Sequence, residues 1–230
     1  MDITKSGISR ISSFPRQIRA QWQRQRGCKI FCIGSAKTGT TSLAAFFEGL
    51  GFAVGDQRAG ERLVHEWARR NFAPIIALSR TARVFQDIPF SLPFTFQALD
   101  QAFPDSKFVL SVRRDAEEWY GSLIRFATLR VGKGRLPTSD DLKTFAYHYE
   151  GWALEAAKLI YDVSDHDIFN KAQLIKAYES HIDSVTRYFG HRPGSLLTIN
   201  VAATDAVERL MAFVEIPYRG ETMPHLNRTR

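Results

Sequence analysis

A lysine inside a glycine-bounded segment is the first feature of the sequence that could do chemistry. Residues 34–39 read Gly-Ser-Ala-Lys-Thr-Gly, and three hydroxyl residues follow directly. The segment lies between a predicted strand and a predicted helix. A loop of this kind presents backbone N–H groups and the positive end of the helix dipole to an anion. The segment therefore predicts an anion site in which Lys37 supplies the full positive charge.

The position of this lysine limits which anion is bound. In the P-loop pattern G-x-x-x-x-G-K-[ST], the lysine directly follows the second glycine and reaches the β- and γ-phosphates. Gly34 and Gly39 have the P-loop spacing, but Thr40 stands in the lysine position. ATP or GTP hydrolysis is therefore a poor fit, whereas a smaller anion could be held without a metal. The plain structural alternative is a helix whose N-terminus is capped by its Thr and Ser side chains.

A second candidate anion site follows a later predicted strand. The strand ends in Arg113 and Arg114, and Ser122 lies eight residues after Arg114. An arginine fork binds a phosphate dianion through paired charge-assisted hydrogen bonds, and a serine hydroxyl adds a donor. Arg113 is the other possible phosphate ligand. Alternatively, both arginines form ion pairs with acidic neighbours at 115, 117 and 118.

Residues 36–43, Ala-Lys-Thr-Gly-Thr-Thr-Ser-Leu, resemble the 5′-phosphosulfate loop of sulfotransferases that use 3′-phosphoadenylyl sulfate (PAPS). Three later segments resemble a bacterial and lower-eukaryotic branch of the same family: D-x-P at 87–89, F-P-D-S-K at 103–107 and R-D-x-x-x-W-x-x-S at 114–122. The resemblance implies that the loop holds the 5′-phosphosulfate and that Arg114 and Ser122 hold the 3′-phosphate. The implied donor-binding residues are Ala36, Lys37, Thr38, Gly39, Thr40, Thr41, Ser42, Arg114 and Ser122.

The reaction that the resemblance implies is transfer of a sulfuryl group from PAPS to a hydroxyl or amine, leaving 3′,5′-ADP, with no metal. Lys37 is expected to stabilise the bridging oxygen. Asp87 is the candidate general base, because it ends a predicted strand where parallel sheets meet ligands. Asp87 could instead cap the turn at Pro89 or pair with Arg83 or Lys37. His65 is the next candidate base, and His148 is interpreted as a surface or packing residue.

Two other functions remain open at this point. A metal-dependent P-loop nucleotide kinase would use an aspartate at a strand end in the way that Asp87 is placed. A non-catalytic module would bind a 3′-phosphonucleotide and dock through its basic arm. The acceptor of a sulfotransferase could be a small molecule or a glycan. Apolar residues in the variable loops indicate a partly apolar acceptor pocket or simply core: Phe90, Phe94, Phe96, Phe126 and Leu136.

The elements that must position these residues alternate along the chain. Strands with continuous apolar runs, separated by helices, predict an α/β fold in three layers, with a mostly parallel central sheet and helices on both faces. Predicted strands cover 29–34, 52–55, 84–88, 107–112 and 195–201. Predicted helices cover 40–51, 58–71, 94–103, 116–130, 139–163, 171–189 and 205–214.

Charge and composition bound the domain organisation. The chain has 230 residues and a net charge of +7. Residues 1–29 hold seven basic residues and one acidic residue, so the remainder is nearly neutral and a nucleic-acid partner is not expected. We predict a basic arm at 1–27 and one domain at 28–230. The arm could contact a membrane surface weakly, act as a transit peptide, or be a solvated leader helix.

Cysteine usage and hydropathy suggest the compartment. Cys28 and Cys32 are too far apart along a strand to form a disulfide, so two free thiols are expected. Free thiols suit a reducing compartment, and a cytoplasmic location is the expectation. No run of 18 apolar residues occurs, so no transmembrane helix is expected.

Overall fold

The computed structural model describes residues 28–224 and residue 226. Four parallel strands form one sheet in the spatial order β2-β1-β3-β4. The chain moves from the central strand β1 to one side and then to the other. Ligands of open α/β sheets bind beyond the carboxyl ends of the strands at such a reversal. The strands are β1 (Ile30–Cys32), β2 (Val84–Gln86), β3 (Lys107–Ser111) and β4 (Leu196–Ile199).

Helices connect the strands and cover the sheet. Within the described residues they are α1 (Thr40–Gly49), α2 (Gln57–Glu61), α3 (Val64–Ala68), α4 (Ala73–Leu78), α5 (Thr95–Ala102), α6 (Ala116–Arg130), α7 (Ser139–Thr144), α8 (Trp152–Tyr161), α9 (Lys171–Phe189) and α10 (Ala206–Phe213).

The alternation of side chains along the strands produces the three layers. Ile30 and Cys32 of β1 face one hydrophobic cluster, which also contains apolar residues of α1 and α10. Phe31 and Ile33 face the other cluster, built with α3, α5, α8 and α9. Both faces of the sheet are thus buried, which is why its strands are continuous apolar runs. The predicted three-layer α/β fold is confirmed.

Several predicted boundaries were wrong. The strand predicted at 52–55 is a single parallel bridge between Val54 and Val84. The helix predicted at 58–71 divides into α2 and α3, and α4 was not predicted. The helix predicted at 139–163 divides into α7 and α8. Between them, Ala146 and Glu150 form an antiparallel bridge, and Gly151 adopts a φ of 83° before α8 begins.

Some expectations concern the termini and the thiols. The arm at 1–27 lies outside the described residues. Cys28 and Cys32 are both free, and burial raises the pKa of Cys32 to about 12. Within residues 28–224 there is no helix with the length and hydropathy needed to cross a bilayer.

Candidate active site

The carboxyl ends of β1, β2 and β3 open on one cavity of about 580 Å³. Lys37 and Thr40, which follow β1, line it together with Asp87, which follows β2, and Arg113, which follows β3. Polar groups from three segments that are far apart in the sequence therefore meet at one edge of the sheet. This is the edge at which a parallel sheet is expected to bind its ligand.

The two glycines of the loop are required by close packing. A Cβ on Gly34 would lie 2.7 Å from the backbone nitrogen of Ser111 and would overlap its carbonyl oxygen. Gly39 has a φ of 103°, and a Cβ there would overlap the side chain of Val201. The Gly-x-x-x-x-Gly spacing thus lets the loop pass directly over β3 and beside the segment that follows β4.

Hydrogen bonds fix the shape of the loop. The Thr38 hydroxyl donates to the carbonyl of Ser35 at 2.6 Å, and its oxygen lies 2.7 Å from the Ser111 hydroxyl. The Trp119 indole N–H donates to the carbonyl of Ala36 at 2.9 Å. Trp119 is itself fully buried and stacks on Tyr178. The loop is therefore held by β3 and α6 in the conformation in which it would receive an anion.

The N-terminus of α1 has no side-chain cap. Its N-cap residue is Gly39, and the Thr40 hydroxyl donates to the Asp87 carboxylate at 2.9 Å. The Ser42 hydroxyl accepts the backbone N–H of Leu226 at 3.3 Å. The alternative of a helix capped by its own Thr and Ser is therefore wrong. The positive end of the α1 dipole therefore borders the cavity without a side-chain cap, as at anion-binding helix termini.

Lys37 combines a strained backbone with a confined ammonium group. Its φ is 71°, in the left-handed region that costs a non-glycine residue free energy. Its Nζ lies 3.6 Å from the centre of the Phe126 ring. Burial lowers the pKa of Lys37, Asp87 partly opposes this shift, and Arg113 adds to it. The charge is thus poorly solvated, which strengthens its attraction for an incoming anion.

Asp87 is similarly constrained. Its φ is 62°, and its two carboxylate oxygens accept from the Thr40 hydroxyl and from the Ile88 backbone N–H, each at 2.9 Å. Burial raises the pKa of Asp87. The Thr40 hydrogen bond opposes this rise, and the nearby Glu61 adds to it. A carboxylate with a raised pKa is a stronger proton acceptor than an ordinary aspartate.

The two consecutive arginines after β3 have different environments. The Arg113 side chain is 24% exposed, and its Nε donates to the carbonyl of Lys37 at 2.8 Å. The Arg114 side chain is 76% exposed, and its Nε donates to Asp115 at 2.9 Å. Arg113 also lies 3.5 Å from Glu118, so the alternative ion pairs form with Asp115 and Glu118, whereas Glu117 pairs with Lys171. The guanidinium adjoining the loop at 34–39 is that of Arg113.

The predicted site residues divide into two groups. Those that line the cavity are Ala36, Lys37, Gly39, Thr40, Thr41 and Asp87. The others lie outside its wall: the hydroxyls of Thr38 and Ser42 are used in bonds within the fold, Arg114 points to solvent, and Ser122 is buried in α6. His65 lies on α3 with its Nε2 2.9 Å from the Tyr149 hydroxyl, away from the cavity wall.

Sequence reasoning missed a buried polar cluster beside Asp87. Glu61 lines the cavity, and its carboxylate accepts from Gln57 at 2.8 Å and from the Tyr147 hydroxyl at 3.3 Å. His148 Nε2 lies 2.8 Å from the same carboxylate, and its side chain is 1% exposed. The interpretation of His148 as a surface or packing residue omitted this contact. Glu61 and His148 are 87 positions apart, and no sequence motif connects them.

The chemistry of the polar end fits the phosphosulfate of PAPS. One ammonium, one guanidinium, hydroxyl groups and the start of α1 all border the same space. This set binds a sulfate- or phosphate-type anion through charge-assisted hydrogen bonds.

Comparison with known families agrees with that chemistry. The model of a protein family described as a sulfotransferase domain matches residues 29–230. No curated protein matches the chain.

Proposed function

This chain belongs to the sulfotransferase family, and we propose that it transfers a sulfuryl group from PAPS to a hydroxyl or amine of an acceptor. The acceptor would be a small molecule or a glycan, and the products would be its sulfate ester or sulfamate and 3′,5′-ADP. The match to a sulfotransferase domain favours this reaction over phosphoryl transfer by a nucleotide kinase.

The observation that carries the proposal is the direct contact of the loop with Arg113 and Trp119, the neighbours in sequence of the second candidate anion site. Arg113 donates to the carbonyl of Lys37, and Trp119 donates to that of Ala36. PAPS carries a phosphosulfate at one end of its adenosine and a phosphate at the other. A single donor of this kind requires two cationic sites close enough for one molecule to reach both, and the contact between the segments supports such an arrangement.

We assign the 5′-phosphosulfate to the loop at 36–42 and the 3′-phosphate to Arg114 and Ser122. Arg113 lies between the two assigned regions and could contribute to either. Because Arg114 is exposed and bonded to Asp115, it would exchange that partner for the phosphate when the donor binds. A phosphate dianion offers more charge and more acceptor oxygens than one carboxylate, which favours the exchange.

The proposed step is an in-line displacement at sulfur. The acceptor oxygen forms a bond to sulfur while the bond between sulfur and the bridging phosphate oxygen breaks. The proton of the acceptor hydroxyl passes to Asp87, and the negative charge that develops on the phosphate is stabilised by Lys37. Catalysis would thus come from positioning and electrostatic stabilisation, as in phosphoryl transfer. No metal is part of this proposal.

A donor that carries radioactive sulfur in its sulfuryl group tests the reaction directly. The chain would be incubated with this labelled PAPS and a panel of phenols, alcohols, amines and oligosaccharides, and labelled products would be separated. We expect transfer to at least one acceptor, with loss of transfer in Lys37→Ala and retention in Lys176→Ala, an exposed lysine on α9. Tight binding of 3′,5′-ADP without transfer to any acceptor would instead support the non-catalytic binding module.

A further inference from the structure

The cavity changes character away from the phosphate loop. Its far wall is formed by α6, α7, α8 and the start of α9, and most of its side chains are apolar. They include Leu123, Leu142, Trp152, Ala156 and Ile160, while Phe126 lies at the boundary with the loop, beside Lys37 Nζ. Leu142, Trp152 and Ala156 are buried, so this wall is part of the packed fold. The acceptor side of the site is therefore a lined pocket and not an open surface.

Most polar side chains of the cavity belong to the loop and the start of α1, to α2, and to the residues that follow β2 and β3. Asp87, Glu61 and Gln57 border the space next to the loop, and the Glu61 carboxylate already accepts from Gln57 and Tyr147. On the far wall the polar atoms are those of Arg130, which is exposed, of Tyr161, and of the Trp152 indole N–H, a buried donor without a hydrogen-bond partner among the described residues. A ligand that fills the pocket would thus find hydrogen-bond partners mainly at one end.

We propose that the acceptor is a compact apolar alcohol, that is, an aromatic or alicyclic ring system that carries its hydroxyl at one end. This inference rests on the sulfotransferase function proposed above. Its hydroxyl would face Asp87 and Lys37, and its ring body would lie against Phe126 and Trp152, where aromatic packing adds to the burial of apolar surface. The volume, about 580 Å³, is within the range of small-molecule pockets, roughly 300–1,000 Å³.

The same wall disfavours a glycan. A sugar carries a hydroxyl on nearly every ring carbon, and those facing the apolar wall would lose water without gaining a partner. Each such stranded group weakens binding by about tenfold. An apolar ring loses nothing comparable when it enters the pocket. The structure thus favours a small-molecule acceptor over a glycan.

Two alanines on α8 provide the test. Ala156 and Ala157 both line the cavity, whereas Leu159 on the same helix does not and is 38% exposed. Ala157→Trp would fill part of the pocket without touching the phosphate loop. Leu159→Trp adds an indole to the outer face of the same helix and serves as the matched control. Melting temperatures of both variants report whether the fold is retained, and Ala157→Leu is the smaller replacement if the tryptophan unfolds the chain.

The experiment measures binding and transfer separately. Calorimetry with 3′,5′-ADP present would compare 2-naphthol with N-acetyllactosamine, and transfer from PAPS to each would be measured in parallel. We expect 2-naphthol to bind and to react at least about tenfold better than N-acetyllactosamine. Ala157→Trp should lower the affinity for 2-naphthol and the rate of transfer to it by a similar factor, and should leave the affinity for 3′,5′-ADP unchanged. Leu159→Trp should behave as the unmodified chain.

The outcomes separate this inference from the function on which it rests. If 3′,5′-ADP binds but N-acetyllactosamine is preferred, or if 2-naphthol fails to bind, the apolar-acceptor proposal is overturned and the sulfotransferase proposal stands. Undiminished 2-naphthol binding in a folded Ala157→Trp variant also overturns it. If 2-naphthol binds and depends on Ala157 but 3′,5′-ADP does not bind, the apolar pocket is supported and the donor assignment fails.

Discussion

The segments that follow β1 and β3 both bear cationic groups, but the fold encloses the first more tightly than it encloses the exposed Arg114 side chain of the second. The loop at 34–39 is braced by Ser111, Trp119 and Arg113, and neither of its glycines has room for a side chain. In the segment after β3, Arg113 is one of those braces, whereas Arg114 is mostly exposed beside Asp115. A braced charge costs little reorganisation when charge develops, and an exposed arginine must be ordered on binding. The loop should therefore govern the rate of transfer, and Arg114 the affinity for the donor.

The largest predicted effect on transfer comes from replacing Asp87, whose carboxylate accepts a hydrogen bond from Thr40 at the start of α1. Asp87→Asn should lower kcat by about 10²–10⁴-fold, because the acceptor hydroxyl loses its proton acceptor. The amide oxygen of the replacement side chain can accept from the Ile88 N–H while its NH2 group donates to the Thr40 hydroxyl oxygen, so the variant should fold. Glu61→Gln is the matched comparison, since Glu61 lines the same cavity. If Glu61→Gln abolishes transfer and Asp87→Asn does not, Glu61 is the base.

The pH profile gives an independent view of the same two groups. Burial raises the pKa of Asp87, so kcat/KM should fall as the pH drops through that raised value and the base is protonated. Burial lowers the pKa of Lys37, so activity should also fall as the pH rises through that lowered value and the ammonium loses its charge. If the residual activity of Asp87→Asn still falls at low pH in the same way, a group other than Asp87 causes that fall.

Lys37→Ala separates the loop from the second segment. Removing the ammonium should lower kcat by about 10²–10³-fold, as for a missing donor to developing charge. The affinity for 3′,5′-ADP should change much less, because the backbone N–H groups and Arg113 remain. Stopped-flow or steady-state transfer assays beside calorimetry would measure both quantities. A large loss of affinity with little change in kcat would contradict the expectation that the loop governs the rate of transfer and Arg114 the affinity for the donor.

Gly34→Ala tests whether the loop depends on its contact with β3. The added Cβ meets the backbone of Ser111, which cannot rotate away, so the free energy of unfolding should fall by about 2–3 kcal/mol. Gly194→Ala is the control, because a Cβ there meets nothing within 4 Å. Urea denaturation of both variants measures the difference. Equal midpoints would mean that the loop is less tightly packed on β3 than the structure indicates.

Arg114→Ala should have the smallest effect on transfer and a clear effect on binding. We expect the Kd for 3′,5′-ADP to rise about tenfold, while kcat at saturating donor is nearly unchanged. Arg113→Ala should affect both, because it also removes the brace on Lys37. A Kd change below about threefold for Arg114→Ala, with a larger one for Arg113→Ala, would assign the 3′-phosphate to Arg113.

Local sequence patterns predicted the framework of this site well. Apolar runs located the strands, and their carboxyl ends placed Lys37 and Asp87 at one edge of the sheet. Patterns could not decide between Arg113 and Arg114, because a shift of one position turns a side chain to the other face of an extended backbone. They also could not reveal Glu61 and His148, since that pair forms only when the segment between α7 and α8 leaves the predicted helix and packs against α2.

Calorimetric titration with 3′,5′-ADP and with 5′-AMP tests most directly whether one donor spans the two cationic segments. The two nucleotides differ only in the 3′-phosphate. We predict that 3′,5′-ADP binds at least about tenfold more tightly than 5′-AMP, and that Arg114→Ala removes most of this difference. Equal affinities of the two nucleotides for the unmodified chain would contradict the assignment of a 3′-phosphate site and, with it, the use of PAPS as donor.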